Sequence, residues 1–183
     1  MKLLFIRHGE TDANLQRTVQ GCGINLPLNS VGTMEAETAG FNLKSKYKLP
    51  VIYCSNLERA KQTAQILAGY FQAEVLPLKG LEEVCFGEAE GMPVDEFRQK
   101  YADVFAAIDD LNNPNAKEVK IPGGESVSET LSRALKAIES IKNMDMAPCV
   151  GVVTHASLMC NIYRYFFGVK RHFGNLEYFE LEV

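Results

Sequence analysis

The chain has 183 residues, of which 46% are hydrophobic and 23% are charged, and its formal net charge at pH 7 is -4. The composition is that of a soluble globular protein rather than a disordered, fibrous or membrane protein, and the length fits one domain, 1–183, that buries roughly two thirds of its unfolded surface. The acidic balance, with no long basic run, argues against a nucleic-acid partner, because binding a polyanion depends on clustered Lys and Arg.

The first predicted element is a strand at the N-terminus. Residues 3–6 read Leu-Leu-Phe-Ile, and four apolar residues in a row indicate a strand that is buried on both faces of a parallel sheet. The strand ends at Arg7 and His8, which are followed by Gly9. Ligands of open α/β sheets bind outside the carboxyl ends of the strands, so this cationic pair indicates a site for an anion. A surface loop that happens to hold two basic residues fits these residues equally well.

The next predicted elements are a loop, two helices and a strand between them. The loop covers residues 14–29, and the helix over 30–47 has a serine as its first residue and candidate cap. A short apolar strand over 51–53 leads to the second helix, for which Ser55 is the candidate cap. Arg59 then lies about one turn from the start of this helix, near the carboxyl end of the second strand.

An acidic segment follows a short predicted strand over residues 74–78. Residues 81–91 read LEEVCFGEAEG, in which glycines interrupt any helical period. Most acidic loops are simply solvated, and composition does not distinguish a functional carboxylate from a solvated one. The candidates are Glu82, Glu83, Glu88 and Glu90.

The segment after the acidic loop predicts one long amphipathic helix. Its apolar stripe consists of Phe97, Tyr101, Val104, Phe105, Ile108 and Leu111. We interpret this stripe as core rather than as the wall of a ligand pocket, which is the usual meaning of apolar residues at helical spacing. The irregular stretch over 112–124 is a candidate lid or rim, because long loops in compact domains are usually functional or mobile.

The C-terminal part predicts a further helix, strand and helix. Ser126 and Glu129 form a capping-box pattern that opens the first of these helices. Residues 149–153 are a buried-strand candidate, and His155 follows directly where the next helix begins. A last strand is predicted over 175–183.

Three predicted junctions between a strand and a helix supply the candidate site. Arg7 and His8, Arg59, and His155 are all expected at one edge of the sheet, because right-handed crossovers bring the carboxyl ends of parallel strands together. Two arginines and two histidines in one crevice repel each other unless an anion lies between them. Guanidinium groups match phosphate oxygens in a two-pronged way, so the expected anion is a phosphoryl group. The remaining histidine, His172, is predicted in a surface turn and is assigned no role.

The same residues favour nucleophilic catalysis over other chemistries. A histidine with a pKa of about 6.5 keeps a substantial neutral fraction at pH 7, so either histidine of the crevice could act as a nucleophile. Arginines bind no metal and disfavour a nearby cation, so we expect no metal site. The sequence has no P-loop pattern, no GxGxxG after a strand and no GxSxG elbow, which argues against the other common phosphate-binding and serine hydrolase sites.

Five blocks of the sequence, in order, resemble the motifs of the histidine phosphatase superfamily, also called the phosphoglycerate mutase-like family. The blocks are RHGETDAN at 7–14, SNLERAKQTA at 55–64, LEEVCFGEAEG at 81–91, GGES at 123–126 and TH at 154–155. The resemblance implies an α/β fold, a three-layer sandwich with a mostly parallel central sheet and helices on both faces. It also implies an enzyme that needs no cofactor.

The resemblance assigns roles by position. It implies that His8 is the nucleophile and is transiently phosphorylated, and that Glu83 protonates the leaving group and then activates water. This alignment selects Glu83 from the four glutamates that composition left open. The phosphoryl oxygens would be bound by Arg7, Asn14, Arg59 and His155. The catalytic set is therefore expected to be His8, Glu83 and His155.

The resemblance favours a phosphatase over a mutase. Mutases of the family carry an insertion that encloses the phosphorylated intermediate, whereas only residues 92–122 separate Gly91 from Gly123 here. Access of water then favours hydrolysis of a small-molecule phosphate ester, as in the compact members such as alpha-ribazole phosphatase. Two alternatives stay open, a mutase-type phosphotransferase and a non-catalytic module that binds a phosphate ligand. Ala156 and Ser157 stand where the family usually has two glycines.

The cysteines and the N-terminus predict the compartment. An odd number of cysteines without CxxC or ligand-like spacing favours reduced thiols in a cytosolic protein. They are Cys22, Cys54, Cys85, Cys149 and Cys160. The four apolar residues before Arg7 are too few for a signal-peptide core, and no segment has the apolar length of a membrane span. We therefore expect a cytoplasmic protein with no membrane partner.

Overall fold

The computed structural model describes residues 1–110 and 112–183, so Leu111 of the predicted apolar stripe lies outside the described residues. The strands are β1 (Lys2–Arg7), β2 (Val51–Cys54), β3 (Glu74–Pro77), β4 (Cys149–Thr154) and β5 (Tyr178–Glu182). The α-helices are α1 (Asp12–Leu15), α2 (Ser30–Leu43), α3 (Glu58–Phe71), α4 (Val94–Lys100), α5 (Ala102–Asp109), α6 (Val127–Met144) and α7 (Ala156–Phe167). Short 3-10 helices cover Gly87–Ala89 and Ala116–Glu118. Within these described ranges no helix is both long enough and apolar enough to cross a membrane.

The five strands form one sheet in the order β3-β2-β4-β1-β5. β1 pairs in parallel with β4, and β2 pairs in parallel with both β4 and β3. β5 is antiparallel to β1 at the edge. This confirms the mostly parallel sheet, and the carboxyl ends of β1, β2 and β4 consequently meet at one edge, where each strand is followed by the start of a loop or helix.

Helices cover both faces of the sheet, because successive side chains of β1 point to opposite faces. Phe5 packs on one face with Val152 and with Leu158 of α7, and α6 contributes to the same cluster. Leu4 packs on the other face with Leu67 of α3, and α2 contributes there. All five side chains are fully buried. The predicted three-layer arrangement is thereby confirmed.

Two predicted helix caps are wrong by one or more residues. Asn29, rather than Ser30, caps α2, since its side chain accepts a hydrogen bond from Gly32 N at 2.8 Å. Ser55 does not cap α3, which begins further along the chain, and its Oγ instead accepts from Leu57 N at 3.2 Å. Asn and Ser are nearly equivalent as caps, so a run of candidates does not fix the boundary. The capping box of α6 is confirmed.

The single helix predicted over the apolar stripe is in fact two helices, α4 and α5. They meet at Tyr101, whose backbone (φ -110, ψ 24) leaves the helical region. Phe97 and Tyr101 are buried in a small core of their own. Val104, Phe105 and Ile108, however, line a cleft. The interpretation of the stripe as core is therefore confirmed for Phe97 and Tyr101, whereas Val104 and Phe105 pack against this core only partly buried and also line the cleft.

The prediction that all cysteines are reduced is also wrong, because Cys22 and Cys85 form a disulfide with a Cα–Cα distance of 4.7 Å. Cysteine spacing does not show that two distant loops meet in the fold. Here the loop after α1 runs beside the acidic segment, and Gly91 N donates to Val19 O at 2.8 Å. The disulfide ties this loop to the segment that carries Glu83. The free cysteines are Cys54, Cys149 and Cys160.

Candidate active site

His8 and His155 lie side by side because they follow neighbouring parallel strands. Arg7 pairs in register with Thr154, and His8 N donates to Thr154 O at 2.9 Å. This register puts the next residue of each strand at the same level of the sheet edge. The two imidazole rings have centroids 5.0 Å apart, and both side chains are buried.

Arg59 connects the two histidines to the loop after α1. It is the second residue of α3 and only 1% exposed. Its Nε lies 3.3 Å from His8 Nε2 and 3.3 Å from His155 Nδ1. Its Nη1 and Nη2 donate to the carbonyl oxygens of Ile24 and Gly21, each at 2.9 Å. The loop therefore forms a wall of the site.

The hydrogen bonds define the tautomer of each ring. A neutral imidazole has one donor and one acceptor nitrogen. His8 Nδ1 lies 2.7 Å from Gly9 O and donates to it, which leaves Nε2 as an acceptor facing Arg59. His155 Nε2 donates to Ser55 Oγ at 2.8 Å, which leaves Nδ1 as an acceptor on the same guanidinium. Both rings consequently direct a lone pair into the site.

The surroundings keep both rings neutral. Burial lowers the pKa of His8 well below its ordinary value of 6.5, and the charges of Arg59 and Arg7 lower it further, while the hydrogen bond to Gly9 opposes the change. The pKa of His155 is likewise lowered well below 6.5, first by burial and then by the charge of Arg59. A neutral His8 is the protonation state that a nucleophile requires.

Arg7 presents an unused donor at the same edge. Its Nη1 donates to Phe173 O at 2.8 Å, whereas its Nε, within the described part of the chain, is buried without a hydrogen-bond partner. Leaving such a donor unpaired costs about 1–3 kcal/mol. Burial lowers the pKa of Arg7, and the charge of Glu83 opposes this effect.

Glu83 reaches the site at the N-terminus of α7. It is 8% exposed. Its Oε1 accepts from Val84 N at 2.9 Å and from Leu158 N at 3.0 Å, and its Oε2 accepts from Ser157 N at 3.1 Å. Because α7 begins directly after His155, these contacts put the carboxylate beside the second histidine.

The other three glutamates of the acidic segment make different contacts. Glu82 accepts from Asn56 Nδ2 at 2.8 Å. Glu88 accepts from the Tyr101 hydroxyl. Glu90 accepts from backbone N–H groups of the loop after α1 and of its own segment. The geometry thus distinguishes carboxylates that composition could not.

Asn14 has a structural contact in this arrangement. Its Oδ1 accepts from Thr11 N at 3.2 Å and from Thr11 Oγ1 at 3.1 Å, and it completes a capping box at the start of α1. This places it just beyond the motif that carries His8. Its contact with a phosphoryl group stays a prediction.

Sequence reasoning missed Arg133, which holds the acidic segment from α6. Its Nη1 donates to the carbonyl oxygens of Gly80 and Glu82 at 3.0 and 2.8 Å, and its Nη2 donates to Glu83 O at 3.0 Å. Its Nε and Nη2 also bind the Glu125 carboxylate at 2.8 and 2.9 Å. Glu125 precedes Ser126, the N-cap of α6, so helical spacing gave no signal for its pairing with Arg133.

The arrangement suits a tetrahedral dianion. His8 and His155 direct lone pairs, and Arg7 and Arg59 direct positive charge, to one edge of the sheet, with a carboxylate next to them. Cationic donors around an anion disfavour a metal cation at the same place. The edge therefore combines positive charge, a neutral imidazole acceptor and a carboxylate.

Comparison with known proteins agrees with this reading. The model of the Histidine phosphatase superfamily (branch 1) matches residues 3–181. The chain is 30% identical over 164 residues to phosphoglycerate mutase-like protein 4 of Arabidopsis thaliana, which covers 88% of this chain and 69% of that protein. It is 32% identical over 164 residues to a metal-independent phosphoserine phosphatase of Arabidopsis thaliana, which covers 88% of this chain and 67% of that protein.

Solved structures extend the comparison. Bacillus stearothermophilus YhfR superposes with a TM-score of 0.84 at 27% identity, over 100% of this chain and 91% of that chain. The alpha-ribazole phosphatase of Shigella flexneri superposes with a TM-score of 0.79 at 22% identity, over 100% and 91% of the two chains, and so shares the fold. The phosphatases among the relatives indicate a phosphatase enzyme. Because the family model matches nearly the whole chain, the chain belongs to the histidine phosphatase superfamily.

Proposed function

We propose that the protein is a metal-independent phosphomonoester hydrolase that acts on a small phosphorylated molecule through a phosphohistidine at His8. The observation that carries this proposal is the state of His8, whose Nε2 is an acceptor within 3.3 Å of Arg59 Nε. The ring is buried and its pKa is lowered, so the lone pair is present at neutral pH. A neutral nucleophile beside two guanidinium groups can approach a phosphoryl dianion that the arginines hold.

The first half-reaction transfers the phosphoryl group to the enzyme. The lone pair of His8 Nε2 forms a bond to phosphorus, and the bond from phosphorus to the ester oxygen breaks with its electron pair going to that oxygen. Glu83 supplies a proton to the oxygen, and the alcohol leaves. Arg7 and Arg59 donate hydrogen bonds to the non-bridging oxygens, which carry the transition-state charge. His155 binds one of these oxygens only in a form that carries a proton on Nδ1, which is then a donor.

We assign the transferred proton to Oε2 of Glu83. A carboxylate oxygen has about two acceptor positions. Oε1 already accepts from the backbone N–H groups of Val84 and Leu158, whereas Oε2 accepts from Ser157 N. Oε2 therefore has the remaining position for the transferred proton.

The second half-reaction releases inorganic phosphate. Glu83, now ionised, takes a proton from a water molecule as the water oxygen bonds to phosphorus. The bond from phosphorus to His8 Nε2 breaks, and the neutral histidine is restored with its lone pair. The same carboxyl group thus acts as an acid and then as a base.

A mutase is the second candidate, because one relative is named phosphoglycerate mutase-like protein 4. A mutase would pass the phosphoryl group to another alcohol instead of to water. The short stretch between the acidic segment and the GGES block supports hydrolysis, since little chain is available to enclose the intermediate. Measuring whether inorganic phosphate is released or the phosphoryl group is transferred to a second alcohol distinguishes the hydrolase from the mutase.

The expected partner is a small-molecule phosphate ester rather than a macromolecule, and the proposed location is the cytoplasm. The Cys22–Cys85 disulfide bears on this proposed location. Disulfides are rare among cytosolic proteins, so either the Cys22–Cys85 bond resists cytosolic thiols or the fold tolerates its reduction. Measuring activity with and without a dithiol reductant distinguishes these two cases.

The decisive experiment is to trap the phosphoenzyme. With p-nitrophenyl phosphate in EDTA, the wild-type protein should release inorganic phosphate and, on rapid acid-free quenching, carry an acid-labile phosphoryl group. His8→Ala should lose both. Turnover that persists in His8→Ala would contradict the proposal, and so would activity that EDTA abolishes.

A matched pair of glutamate variants tests the acid. Glu83→Gln should still form the phosphoenzyme from p-nitrophenyl phosphate, whose leaving group needs no proton, but should hydrolyse an alkyl phosphate about 100-fold or more slowly. Glu82→Gln, one residue away, should keep most of its activity on both. Equal effects of the two substitutions would argue against the assignment of Glu83.

A further inference from the structure

A large cleft opens from the proposed phosphate site. It has a volume of about 680 Å³ and begins at Arg7 and at Ala156 and Ser157 in the first turn of α7. These residues adjoin His8 and His155 in the chain. Arg7 is the proposed site residue that lines the cleft, so an ester bound at Arg7 can place its alcohol part there. Pockets of roughly 300–1,000 Å³ enclose molecules of drug size, so the space exceeds what a three-carbon alcohol occupies.

One side of the cleft is an aromatic wall, formed by Phe86, Phe97 and Phe105. The rings of Phe86 and Phe97 have centroids 5.3 Å apart, and those of Phe97 and Phe105 are 5.1 Å apart, both edge to face. Phe97 is buried, whereas Phe86 and Phe105 are only partly buried. The buried ring of Phe97 thus supports the other two rings, which present apolar surface to the cleft. Further apolar lining residues are Val84, Val104, Ile108 and Val127.

The carboxylates that line the cleft are already in ion pairs. Asp109 accepts from Lys170 at 2.7 Å and from Arg164 at 3.1 Å. Glu125 is bound by Arg133 at 2.8 Å. The other polar side chains of the lining are Arg98, Lys120, Ser157, Asn161 and His172. Most of the exposed lining is nevertheless apolar, so the larger part of the surface offered to the alcohol suits a hydrocarbon.

We propose that the protein hydrolyses phosphate monoesters of bulky apolar alcohols, aliphatic or aromatic, whose hydrocarbon part lies against the aromatic wall. This inference rests on the proposed function, because it names the leaving alcohol of the same reaction. Burial of the hydrocarbon part removes apolar surface from water on both sides of the contact. The binding energy comes from a part of the ester that does not react, and it raises kcat/KM relative to esters of small polar alcohols.

The test is a series of n-alkyl phosphates, namely ethyl, butyl and hexyl phosphate. Primary alcohols of this series are leaving groups of nearly equal basicity, so a change in kcat/KM reports on contact with the cleft. A fully buried methylene is worth up to about fourfold, and with a wall on one side we expect kcat/KM to rise about 30-fold in total from ethyl to hexyl phosphate. Glycerol 1-phosphate should resemble ethyl phosphate or be slower.

A pair of phenylalanine variants locates the effect. Phe105→Ala should lower kcat/KM for hexyl phosphate about tenfold and change that for ethyl phosphate by less than about twofold. Phe41→Ala, at a 63% exposed position on α2, is the matched control and should leave both values unchanged. If Phe105→Ala fails to fold by circular dichroism, Ile108→Ala on the same side of α5 replaces it with a smaller expected loss.

The outcomes separate this inference from the proposed function. Turnover that depends on His8 but does not change along the alkyl series would overturn the inference and leave the hydrolase intact. Absence of turnover and of phosphoenzyme with every ester would overturn the hydrolase. In that case the dissociation constants of ethylphosphonate and hexylphosphonate, measured by calorimetry, still test whether the cleft binds hydrocarbon groups. Tighter binding of the hexyl compound supports the apolar cleft, and equal binding overturns it.

Discussion

His8 and His155 leave the ends of adjacent parallel strands, whereas Glu83 lies in a segment without regular structure. The histidines are placed by the backbone register of β1 and β4, and few side chains are needed to position them. The acidic segment has no such ladder. It is held by Arg133 through its backbone carbonyls, by the Cys22–Cys85 disulfide and by the N–H groups at the start of α7.

This difference shows how one site can combine two kinds of support. The sheet edge fixes the phosphoryl-binding half to within the precision of a hydrogen-bonded ladder. The acid half depends on a small number of polar side chains, each of which satisfies several groups at once. We therefore expect substitutions in the phosphoryl-binding half to lower activity by removing a charge or the nucleophile. Substitutions around the acid half should lower activity by displacing the carboxylate of Glu83.

Removing the guanidinium that joins the two histidines should have the largest effect. Arg59→Ala takes away the positive charge beside His8 and the donors to the carbonyls of Gly21 and Ile24. We expect kcat/KM for an alkyl phosphate to fall about 100- to 1,000-fold, the range for losing one transition-state donor. Arg59→Lys should restore little, because an ammonium group cannot bridge the same set of partners.

The control for this measurement is Lys61→Ala, the next cation on α3, which should change kcat/KM by less than about threefold because surface charges act weakly through solvent. If Arg59→Ala retains most of the activity, the guanidinium has no role in the transition state. The histidine half would then depend on Arg7 alone.

Removing the Arg133 side chain, which holds the segment of Glu83, should have an intermediate effect on activity. Arg133→Ala removes the donors to the carbonyls of Glu82 and Glu83 and leaves Glu125 without its partner. We expect kcat/KM for an alkyl phosphate, which reports on phosphoryl transfer to His8 and not on hydrolysis of the phosphoenzyme, to fall about 10- to 100-fold, part of the usual contribution of a general acid of about 10²–10⁴-fold. The loss for p-nitrophenyl phosphate should be much smaller, because its departure needs no proton.

That dependence on the leaving group separates positioning from general damage to the fold. Arg133→Lys should recover part of the activity on the alkyl ester, since one or two of the carbonyl contacts can form again. An equal loss on both esters would mean that Arg133 supports the fold as a whole instead of the acid.

The contrast between the sheet edge and the acidic segment also explains which parts of the site could be predicted from the sequence. Short apolar runs that end in Arg7, His8 and His155 identify strands and their edge, because burial on two faces leaves a strong pattern. The resemblance of the acidic block selected Glu83. Contacts across loops leave no such pattern, so Arg133 was missed and Cys22 was expected to be free.

The helix predicted over residues 97–111 shows a further limit. Apolar residues at helical spacing do not reveal whether the surface they face is filled by the protein or open to a ligand. Phe97, Phe105 and Ile108 all line the cleft, and of the three only Phe97 is buried. A break at Tyr101 separates α4 from α5 while Phe97 and Phe105 stay in contact, and no residue of the sequence marks this break as proline would.

The smallest expected effect is on stability as a function of pH, and it concerns the histidine half alone. The folded protein lowers the pKa of both His8 and His155 well below 6.5, whereas in the unfolded chain they take up protons near that value. Acidification therefore favours the unfolded state. Between pH 7.5 and 5.5 each histidine should reduce the free energy of unfolding by about 1.4 kcal/mol. This loss reverses as the pH rises above 6.5.

Urea unfolding of wild type and of His155→Gln at the two pH values measures this contribution. The variant should lose about 1.4 kcal/mol less than wild type on acidification, because glutamine does not titrate and other groups contribute equally to both proteins. His172→Gln is the matched control, since this residue is exposed and should show the wild-type pH dependence. If His155→Gln and wild type lose the same amount, His155 takes up its proton at a similar pH in both states, and burial next to Arg59 does not keep the ring neutral.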